Sequence, residues 1–407
     1  MNQYALKGRL IDGIKDEAIE NGIIIVKEDK IIYAGISSGY NLPNDIKIIE
    51  LPNSTILPGF IDCHTHVSGN EGSSLGKKTN YDNLLTASSH LRLFLEAGFT
   101  FIRDMTPFSS ALSRAVHRGD IEGPGIMSGG QVLSPTAGHT DIFTGMSLDS
   151  LRNAGLAGSL ADGIDECLKT VRRQFREGAE FIKICATGGV SSAVDGLEDI
   201  QYSEAEMTVM VEEARRHGTY VAAHCSSLAG TYQALKCGIA SIEHGIDLDD
   251  RCIKIMAEKN IPVITTAYVL YLVSNLTDYP EHMIRKGKIT AKSHQESMRK
   301  AHKAGINIAY GTDFSNSKNT PYLRNGLEFK AIVNYGFTPM EAIKIGTING
   351  AKVCKREKLI GSLEAGKQAD ITIVEGDPLQ DIDVLTDAKH VSLVIQNGKI
   401  KKGTLGV

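Results

Sequence analysis

Two histidines separated by one residue, His64 and His66, end an apolar stretch of the chain that begins at Ile56. The stretch has the character of a β-strand, in which alternate side chains project from the same face. Two imidazoles on one face at a strand end can form half of a site for a divalent transition metal. A His-X-His pair is also compatible with two exposed loop histidines, so further candidate ligands elsewhere in the chain are needed to distinguish a metal site from this alternative.

Four further residues with side chains that can bind a metal occupy comparable positions. Each lies within or directly after an apolar segment that reads as a strand; they are Lys183, His224, His244 and Asp313. Each alone has an ordinary explanation, such as a hydrogen-bonded core histidine or an aspartate that caps a turn. Their common placement with the first two histidines favours a metal centre over coincidence.

Lys183 is the most informative of these residues because the segment 181–186 is otherwise apolar. A free ammonium group is costly to bury unless it is neutralised or paired. Reaction with carbon dioxide would convert the amine into a carbamate, an anionic ligand whose oxygens can bridge two metal ions. A lysine whose ammonium group reaches solvent at the end of the strand is the alternative.

The segments that carry these residues alternate with helical stretches, a pattern typical of βα units around a parallel sheet. It predicts eight strands, at 56–63, 100–105, 125–133, 181–186, 220–225, 241–245, 262–268 and 306–312. It predicts helices that include 81–97, 163–177, 203–217 and 289–304. Eight repeats over roughly 300 residues fit a closed (β/α)8 TIM barrel, whose active site lies at the C-terminal ends of the strands. A doubly wound open sheet is less favoured, since no Gly-X-Gly-X-X-Gly motif opens the first βα turn.

Both ends of the chain have a different character, with strands and turns in close succession. Residues 22–35 read as a β-hairpin, and residues 369–378 and 391–399 each read as a strand that ends in a turn. We therefore expect an α/β protein with two domains. A small β-sandwich would be built from residues 1–55 and 355–407, and the barrel would span residues 56–354.

The overall composition is that of a globular protein that acts on a small molecule. The 407 residues include 44 basic and 48 acidic side chains, for a net charge of −4. This balance gives no electrostatic attraction to nucleic acid or to an anionic membrane. Seven dispersed cysteines without a Cys-X-X-Cys pair favour reduced thiols, and the N-terminus has no apolar signal core. These features predict a cytoplasmic protein.

The order and setting of the six candidate ligands resemble the amidohydrolase superfamily, in the branch with a binuclear metal centre. The motifs lie at residues 59–66, 182–183, 223–224, 243–245, 311–313 and 360–370, so the resemblance extends over essentially the whole chain. Within the superfamily the chain is similar to the group of Xaa-Pro and Xaa-Arg/Lys dipeptidases that also includes ochratoxin-type amidases. Residues 186–190 and 137–139 carry this closer similarity.

This resemblance implies a set of ligands and a mechanism. One divalent metal would be bound by His64, His66, Lys183 and Asp313, and the other by Lys183, His224 and His244, with Lys183 as N6-carboxylysine formed from carbon dioxide. Histidine-rich ligation with a carboxylate favours zinc. A hydroxide that bridges the two ions would attack the amide carbonyl, and Asp313 would carry a proton from the nucleophile to the leaving amine. His139 would bind the substrate and donate a hydrogen bond to the developing oxyanion, unless it is only a loop histidine.

The expected activity is hydrolysis of an amide bond that releases the C-terminal amino acid of a dipeptide or an N-acyl amino acid. The resemblance also implies a homo-oligomer. Alternative enzymatic functions are those of a cyclic-amide or imidazolonepropionase-like hydrolase and of a lactonase. The imidazolonepropionase and deaminase branches typically use one metal and need no bridging lysine, so Lys183 argues against them. A catalytically silent scaffold protein on the same fold is an alternative from another class, but such proteins usually lose ligands that this chain retains.

Overall fold

The structure is a computed structural model of the chain and describes residues 3–68, 79–141, 145–153, 157–275 and 277–404. Within these residues the chain forms an α/β fold with a terminal sheet of mixed strand direction and two parallel sheets. The strands are β1 Gln3–Leu10, β2 Ile19–Lys27, β3 Lys30–Ile36, β4 Lys47–Pro58, β5 Phe60–Thr65, β6 Phe99–Asp104, β7 Gly125–Ser128, β8 Ile182–Cys185, β9 Val221–Cys225, β10 Ser241–His244, β11 Val263–Ile264, β12 Ile308–Ala309, β13 Ile371–Glu375, β14 Val391–Gln396 and β15 Lys399–Lys402. The helices are α1 Asn80–Glu96, α2 Ser109–Arg118, α3 Leu148–Asn153, α4 Gly163–Glu177, α5 Glu204–Arg216, α6 Leu228–Cys237, α7 Asp250–Lys259, α8 Ala267–Asn275, α9 Glu281–Lys303, α10 Leu327–Asn334, α11 Pro339–Lys344 and α12 Gly350–Val353.

The terminal sheet combines strands from both ends of the chain in the order β15-β14-β13-β4-β1-β2-β3. β4 lies at its centre, parallel to β1 and antiparallel to β13. The β-branched and aliphatic residues of these strands pack into one buried cluster that includes Leu6, Ile24, Ile56, Ile371 and Ile395. Because β4 runs to Pro58, it crosses residue 55, where the sequence places the boundary between domains. The domain boundaries themselves stay a prediction.

The two parallel sheets, β5-β6-β7 and β12-β11-β10-β9-β8, carry the segments that the sequence predicts for a barrel. Backbone hydrogen bonds join them along two edges. The N–H of Leu133 donates to the carbonyl of Lys183 and the N–H of Cys185 to the carbonyl of Leu133, both at 2.8 Å. On the other side, the N–H of Cys63 in β5 donates to the carbonyl of Tyr310, just after β12, at 2.8 Å. Since the strands are parallel, their C-terminal ends lie together.

Helices between the strands cover these sheets, and their local sequences explain where they begin and end. Helix α4 has the bounds that the sequence predicts, because buried Cys167 and Val171 recur at helical spacing and Gly178 ends it at a positive φ of 104°. Helix α5 begins with a capping box between Ser203 and Glu206.

Several predicted boundaries are wrong. Of the predicted strand 262–268 only β11 forms, and the last two residues belong to α8. The reason is a distant cap, since the buried carboxylate of Glu328 accepts the backbone N–H groups of Ala267 at 2.8 Å and Tyr268 at 2.7 Å. The predicted strand 125–133 ends at Ser128, the predicted strand 56–63 is divided between β4 and β5, and α9 begins eight residues before the predicted 289.

No helix in the described ranges combines the length and the apolar character needed to cross a membrane. All seven cysteines lie in these ranges and have free thiols. Most of them are buried small side chains of the core, as expected for reduced cysteines.

Candidate metal centre

Three of the predicted ligands, His64, His66 and Asp313, form a compact group at the C-terminal end of β5. The Nε2 atom of His66 lies 3.0 Å from Oδ1 of Asp313, and Nε2 of His64 lies 3.6 Å from the same oxygen. One nitrogen or oxygen atom from each of the three lies within 4.8 Å of the others. The backbone N–H of Asp313 donates to the carbonyl of His64 at 2.8 Å, which fixes the two segments together. Two imidazoles and a carboxylate at these separations can hold one divalent cation.

The other predicted ligands, Lys183, His224 and His244, lie on β8, β9 and β10 beside this group. The ring of His244 is 4.9 Å from that of His64 and 4.5 Å from that of His224, measured between centroids. Lys183 is 2% exposed, and its ammonium group makes no hydrogen bond or ion pair to any described residue. The structure thus brings all six residues to one end of the parallel sheets, while their binding of metal stays a prediction.

The buried histidines are held in the neutral form that binds metals. Burial lowers the pKa of His64, His224 and His244 well below the usual value, and the nearby charge of Lys183 lowers each further. For Asp313, removal from water opposes ionisation, but the hydrogen bond to His66 and the electrostatic effects of the nearby His64, His66 and Lys183 side chains outweigh it, so the pKa is lowered. Neutral imidazoles and an ionised carboxylate are the states that coordinate a cation without prior loss of a proton.

Hydrogen bonds on the far side of two rings fix which nitrogen faces the centre. Nδ1 of His64 lies 2.7 Å from the carboxylate of Glu243, and Nδ1 of His244 lies 2.8 Å from the hydroxyl oxygen of Thr266. In both rings Nε2 is therefore the nitrogen available to a metal. Carboxylate and hydroxyl partners of this kind orient ligating histidines in many metal sites.

A fully buried arginine supports Glu243. Nη2 of Arg103 lies 2.6 Å from both carboxylate oxygens of Glu243, and its Nε–H donates to the carbonyl of Cys63 at 2.6 Å. The guanidinium group also lies over the ring of Phe181, 5.0 Å from the centroid. Since Cys63 precedes His64, Arg103 holds both the backbone and the hydrogen-bond partner of this histidine.

His139 lies beside His224. The two rings stack with their centroids 4.5 Å apart and an interplanar angle of 26°. Nδ1 of His139 lies 3.0 Å from a carboxylate oxygen of Asp195. The backbone at Gly189 passes so close that a Cβ atom there would lie 2.3 Å from Cε1 of His139 and 2.7 Å from Nε2 of His224. The structure therefore places His139 beside one of the candidate ligands, with its orientation set by an aspartate, while its role stays a prediction.

Two of the candidate ligands have a backbone conformation that side chains rarely adopt. φ is +66° at His244 and +55° at Asp313, and it is +62° at Thr266, the partner of His244. Residues other than glycine in this left-handed region cost free energy and gather at functional sites. The fold maintains this conformation at the same strand ends where the candidate ligands meet.

A sequence profile described as the amidohydrolase family matches residues 55–401 of the chain, most of its length. The chain belongs to the amidohydrolase family. This confirms the resemblance inferred from the motifs. As an amidohydrolase the protein is a metal-dependent hydrolase that acts on C–N bonds, and the donor set of His64, His66 and Asp313 fits a metal site of this kind.

Among similar proteins, ochratoxinase from Aspergillus niger is 35% identical over an alignment of 425 residues, which covers 97% of this chain and 86% of that protein. The crystal structure of A. niger ochratoxinase superposes with a TM-score of 0.88 at 31% identity and covers 99% of this chain and 96% of its own. A Xaa-Pro dipeptidase with methionine bound in its active site has a TM-score of 0.88 at 28% identity, over 98% of this chain and all of its own. A prolidase complexed with N-methylphosphonate-L-proline has a TM-score of 0.89 at 28% identity, over 99% of this amidohydrolase and all of that chain.

No role is assigned from the sequence to several residues that build the site of this amidohydrolase. Glu243 and Arg103 are charged residues inside apolar strands, the same signal that singled out Lys183. Asp195 gave no such signal, because it lies in an irregular polar segment. His294 lies on a polar helix and gave no signal either, yet it is buried, and its Nε2 lies 2.9 Å from the carbonyl oxygen of Thr265.

Proposed function

We propose that this amidohydrolase releases the C-terminal amino acid from a dipeptide or an N-acyl amino acid. The observation that carries the proposal is the convergence of the His64, His66 and Asp313 group with buried Lys183, His224 and His244 at one end of the parallel sheets. Relatives named ochratoxinase, Xaa-Pro dipeptidase and prolidase, each similar over nearly the whole chain, support small amides or dipeptides as substrates.

We propose that the six residues hold two divalent metal ions. The imidazoles and carboxylate favour zinc, and Lys183 as a carbamate would supply the anionic bridge. Its burial without a hydrogen bond or ion pair to any described residue supports this modification, because a carbamate between two cations replaces a buried ammonium group that has no hydrogen-bond partner among these residues. When bound, the ions would lower the pKa of water to about 7 and polarise the amide carbonyl.

The side chains around this centre then have distinct roles in the proposed reaction. Asp313, ionised and hydrogen-bonded to His66, accepts a proton from the attacking water and delivers it to the departing amine nitrogen. His139, with a proton on both ring nitrogens, donates a hydrogen bond from Nε2 to the carbonyl oxygen as negative charge develops on it, a role that can be worth about 3 kcal/mol. Glu243 and Thr266 keep His64 and His244 in the required orientation.

We propose that the parallel strands close into one (β/α)8 barrel and that the terminal sheet forms a β-sandwich beside it. The backbone hydrogen bonds of Leu133 with β8 and of Cys63 with Tyr310 support closure, since they join both edges of the two parallel sheets. A closed barrel accounts for the meeting of residues from β5, β8, β9, β10 and the segment after β12 at one mouth.

The test combines metal analysis with a substrate screen. The metal-loaded protein is incubated with libraries of Xaa-Pro, Xaa-Arg, Xaa-Lys and Xaa-Phe dipeptides and N-acyl amino acids, and free amino acids are quantified. Two metals per chain with one strongly preferred C-terminal residue is the expected result. Two metals without release of any amino acid would reject the peptide substrate and direct the search to cyclic amides and lactones, whereas one metal or none would reject the bridging lysine.

A further inference from the structure

A second buried lysine, Lys286, lies on α9 and contacts the segment that carries Asp195. Its side chain is 7% exposed. Its Nζ donates to the backbone carbonyls of Gly189 at 2.8 Å, Ser192 at 2.8 Å and Asp195 at 2.7 Å. Oδ1 of Asp195 lies 3.1 Å from the same nitrogen. The ammonium group is therefore fully hydrogen-bonded, and it ties a segment about 90 residues away in sequence to one point on a helix.

The helix that carries Lys286 is itself held firmly. The next residue, Gly287, lies so close to α8 that a Cβ atom would be 3.1 Å from Cβ of Val273. Two turns further along, the ring of His294 bonds Thr265 through Nε2 at 2.9 Å and the hydroxyl of Tyr335 through Nδ1 at 2.8 Å. These contacts hold α9 in place, so Lys286 has a fixed position relative to the segment that carries Asp195.

Asp195 connects Lys286 to His139, because one of its carboxylate oxygens contacts Lys286 and the other contacts His139. Its second carboxylate oxygen, Oδ2, lies 3.0 Å from Nδ1 of His139 and also accepts the N–H of Gly189 at 3.1 Å and the amide of Gln201 at 3.3 Å. Burial opposes ionisation of Asp195, but the hydrogen bonds and charges of His139 and Lys286 outweigh it, so its pKa is lowered. An ionised carboxylate accepts a hydrogen bond from Nδ1–H and directs Nε2 of His139 away from itself.

We propose that Lys286 is a positioning residue for amide hydrolysis, which fixes residues 189–195 and, through Asp195, the ring of His139 beside His224. The inference rests on the proposed function, in which His139 stabilises the developing oxyanion. Loss of the cation would leave Asp195 free to rotate and would release Gly189 from its contact with both imidazole rings. A hydrogen-bond donor displaced by about 1 Å can cost a hundredfold in rate.

The experiment uses Lys286→Met in the full-length, metal-loaded protein. Because Lys286 acts through a group that works in the transition state, kcat should fall 10- to 100-fold while KM changes less than threefold. In a His139→Asn background the same substitution should reduce kcat less than threefold, since the residue that it positions is already gone. Hydrogen exchange of residues 189–196 should become faster at least tenfold, whether or not a substrate is known.

Lys300→Met is the matched control. Lys300 lies on the same helix, and its Nζ donates to the carbonyl of Leu248 at 3.2 Å, so the substitution also removes a lysine hydrogen bond to the backbone. It should leave kcat and the exchange of residues 189–196 at wild-type values. If Lys286→Met does not fold, Lys286→Gln, which keeps a donor nitrogen but loses the charge, is measured in its place.

The outcomes separate this inference from the proposed function. Equal losses of kcat in the wild-type and His139→Asn backgrounds, a rise in KM alone, or unchanged exchange of residues 189–196 would each overturn the inference. A wild-type protein that cleaves none of the amides would reject the proposed function, and faster exchange in Lys286→Met would then still establish that Lys286 fixes the segment.

Discussion

His64 and Glu243 are joined by a buried hydrogen bond in which Nδ1 of the histidine lies 2.7 Å from a carboxylate oxygen. The same carboxylate is paired with Arg103 at 2.6 Å, and all three side chains are at most 1% exposed. One anion therefore orients a candidate metal ligand and neutralises a buried guanidinium group. The metal centre and the core of the fold depend on the same residue.

We expect Glu243→Gln to weaken metal binding 10- to 100-fold, because a neutral amide orients His64 less strongly than a carboxylate. The substitution also leaves the charge of Arg103 uncompensated inside the protein, which should lower the free energy of unfolding by about 3–5 kcal/mol. Metal affinity is measured by competition with a chelator, and stability by denaturant unfolding of the metal-free protein.

Glu212→Gln is the control for the loss of one glutamate charge. Glu212 is 54% exposed and lies 3.7 Å from Arg216 on α5, a surface pair that should contribute less than about 1 kcal/mol. If Glu243→Gln matched this control in both metal affinity and stability, the dual role of Glu243 would be wrong.

We expect Lys183→Ala to lose most of the bound metal and of the activity, because it removes the proposed bridging ligand. Short carboxylic acids such as propionate should restore part of both by occupying the vacated space as a free carboxylate. Metal content is determined by elemental analysis before and after addition of the acid. Exposed Lys169 on α4 is the control, and Lys169→Ala should keep the wild-type metal content. Two metals per chain in Lys183→Ala would exclude the bridge.

The sequence was sufficient to find the candidate ligands because each lies at or near the end of a short apolar segment. A polar side chain in an apolar strand, such as Lys183 on β8, is unusual whatever the details of the tertiary structure. Its position in the sequence therefore suffices to single it out. The bounds of α4 could be predicted for a similar reason, since its apolar spacing and the glycine at residue 178 are local features.

Long-range contacts determine the features of the fold and the site that could not be predicted from the sequence. The end of β11 depends on Glu328, which caps α8 from about 60 residues away, and nothing near Thr266 indicates this partner. In the same way, Lys286 appears in sequence as one more cation on a basic helix. Its burial and its contacts with Asp195 follow only from the packing of α9 against the segment 189–195.

We expect Gly189→Ala to reduce kcat/KM about 100-fold without unfolding the protein. The added Cβ would lie 2.3 Å from Cε1 of His139 and 2.7 Å from Nε2 of His224, so at least one ring must move. Gly145→Ala is the control, because a Cβ atom there would meet no atom of the described residues within 4 Å. Steady-state kinetics and metal content are measured together, and wild-type kinetics in Gly189→Ala would show that the positions of these rings do not limit the reaction.

We expect Asp370→Asn to stabilise the protein at neutral pH and to have little effect in acid. Burial raises the pKa of Asp370 from 3.8 to about 6, although the carboxylate accepts the N–H of Asn397 at 2.7 Å. The folded state therefore holds this proton more tightly than the unfolded state, and its stability falls as the pH rises from about 4 to about 6. Above that range the ionised carboxylate costs up to about 3 kcal/mol, which a neutral amide avoids.

Asp249→Asn provides a control of opposite sign. Burial of Asp249 opposes ionisation, but its hydrogen bonds with the N–H of Cys252 at 2.9 Å and with Arg251 at 2.7 Å outweigh this, so its pKa is lowered. Its carboxylate stabilises the fold above the unfolded pKa near 3.8, and this contribution disappears as the pH falls. Asp249→Asn should thus be less stable than the wild type at pH 7 and approach it near pH 3, whereas Asp370→Asn should be more stable at pH 7 and lose its advantage below pH 4. Denaturant unfolding from pH 3 to pH 8 compares the three proteins, and parallel curves for Asp370→Asn and the wild type would show that burial does not raise the pKa of Asp370.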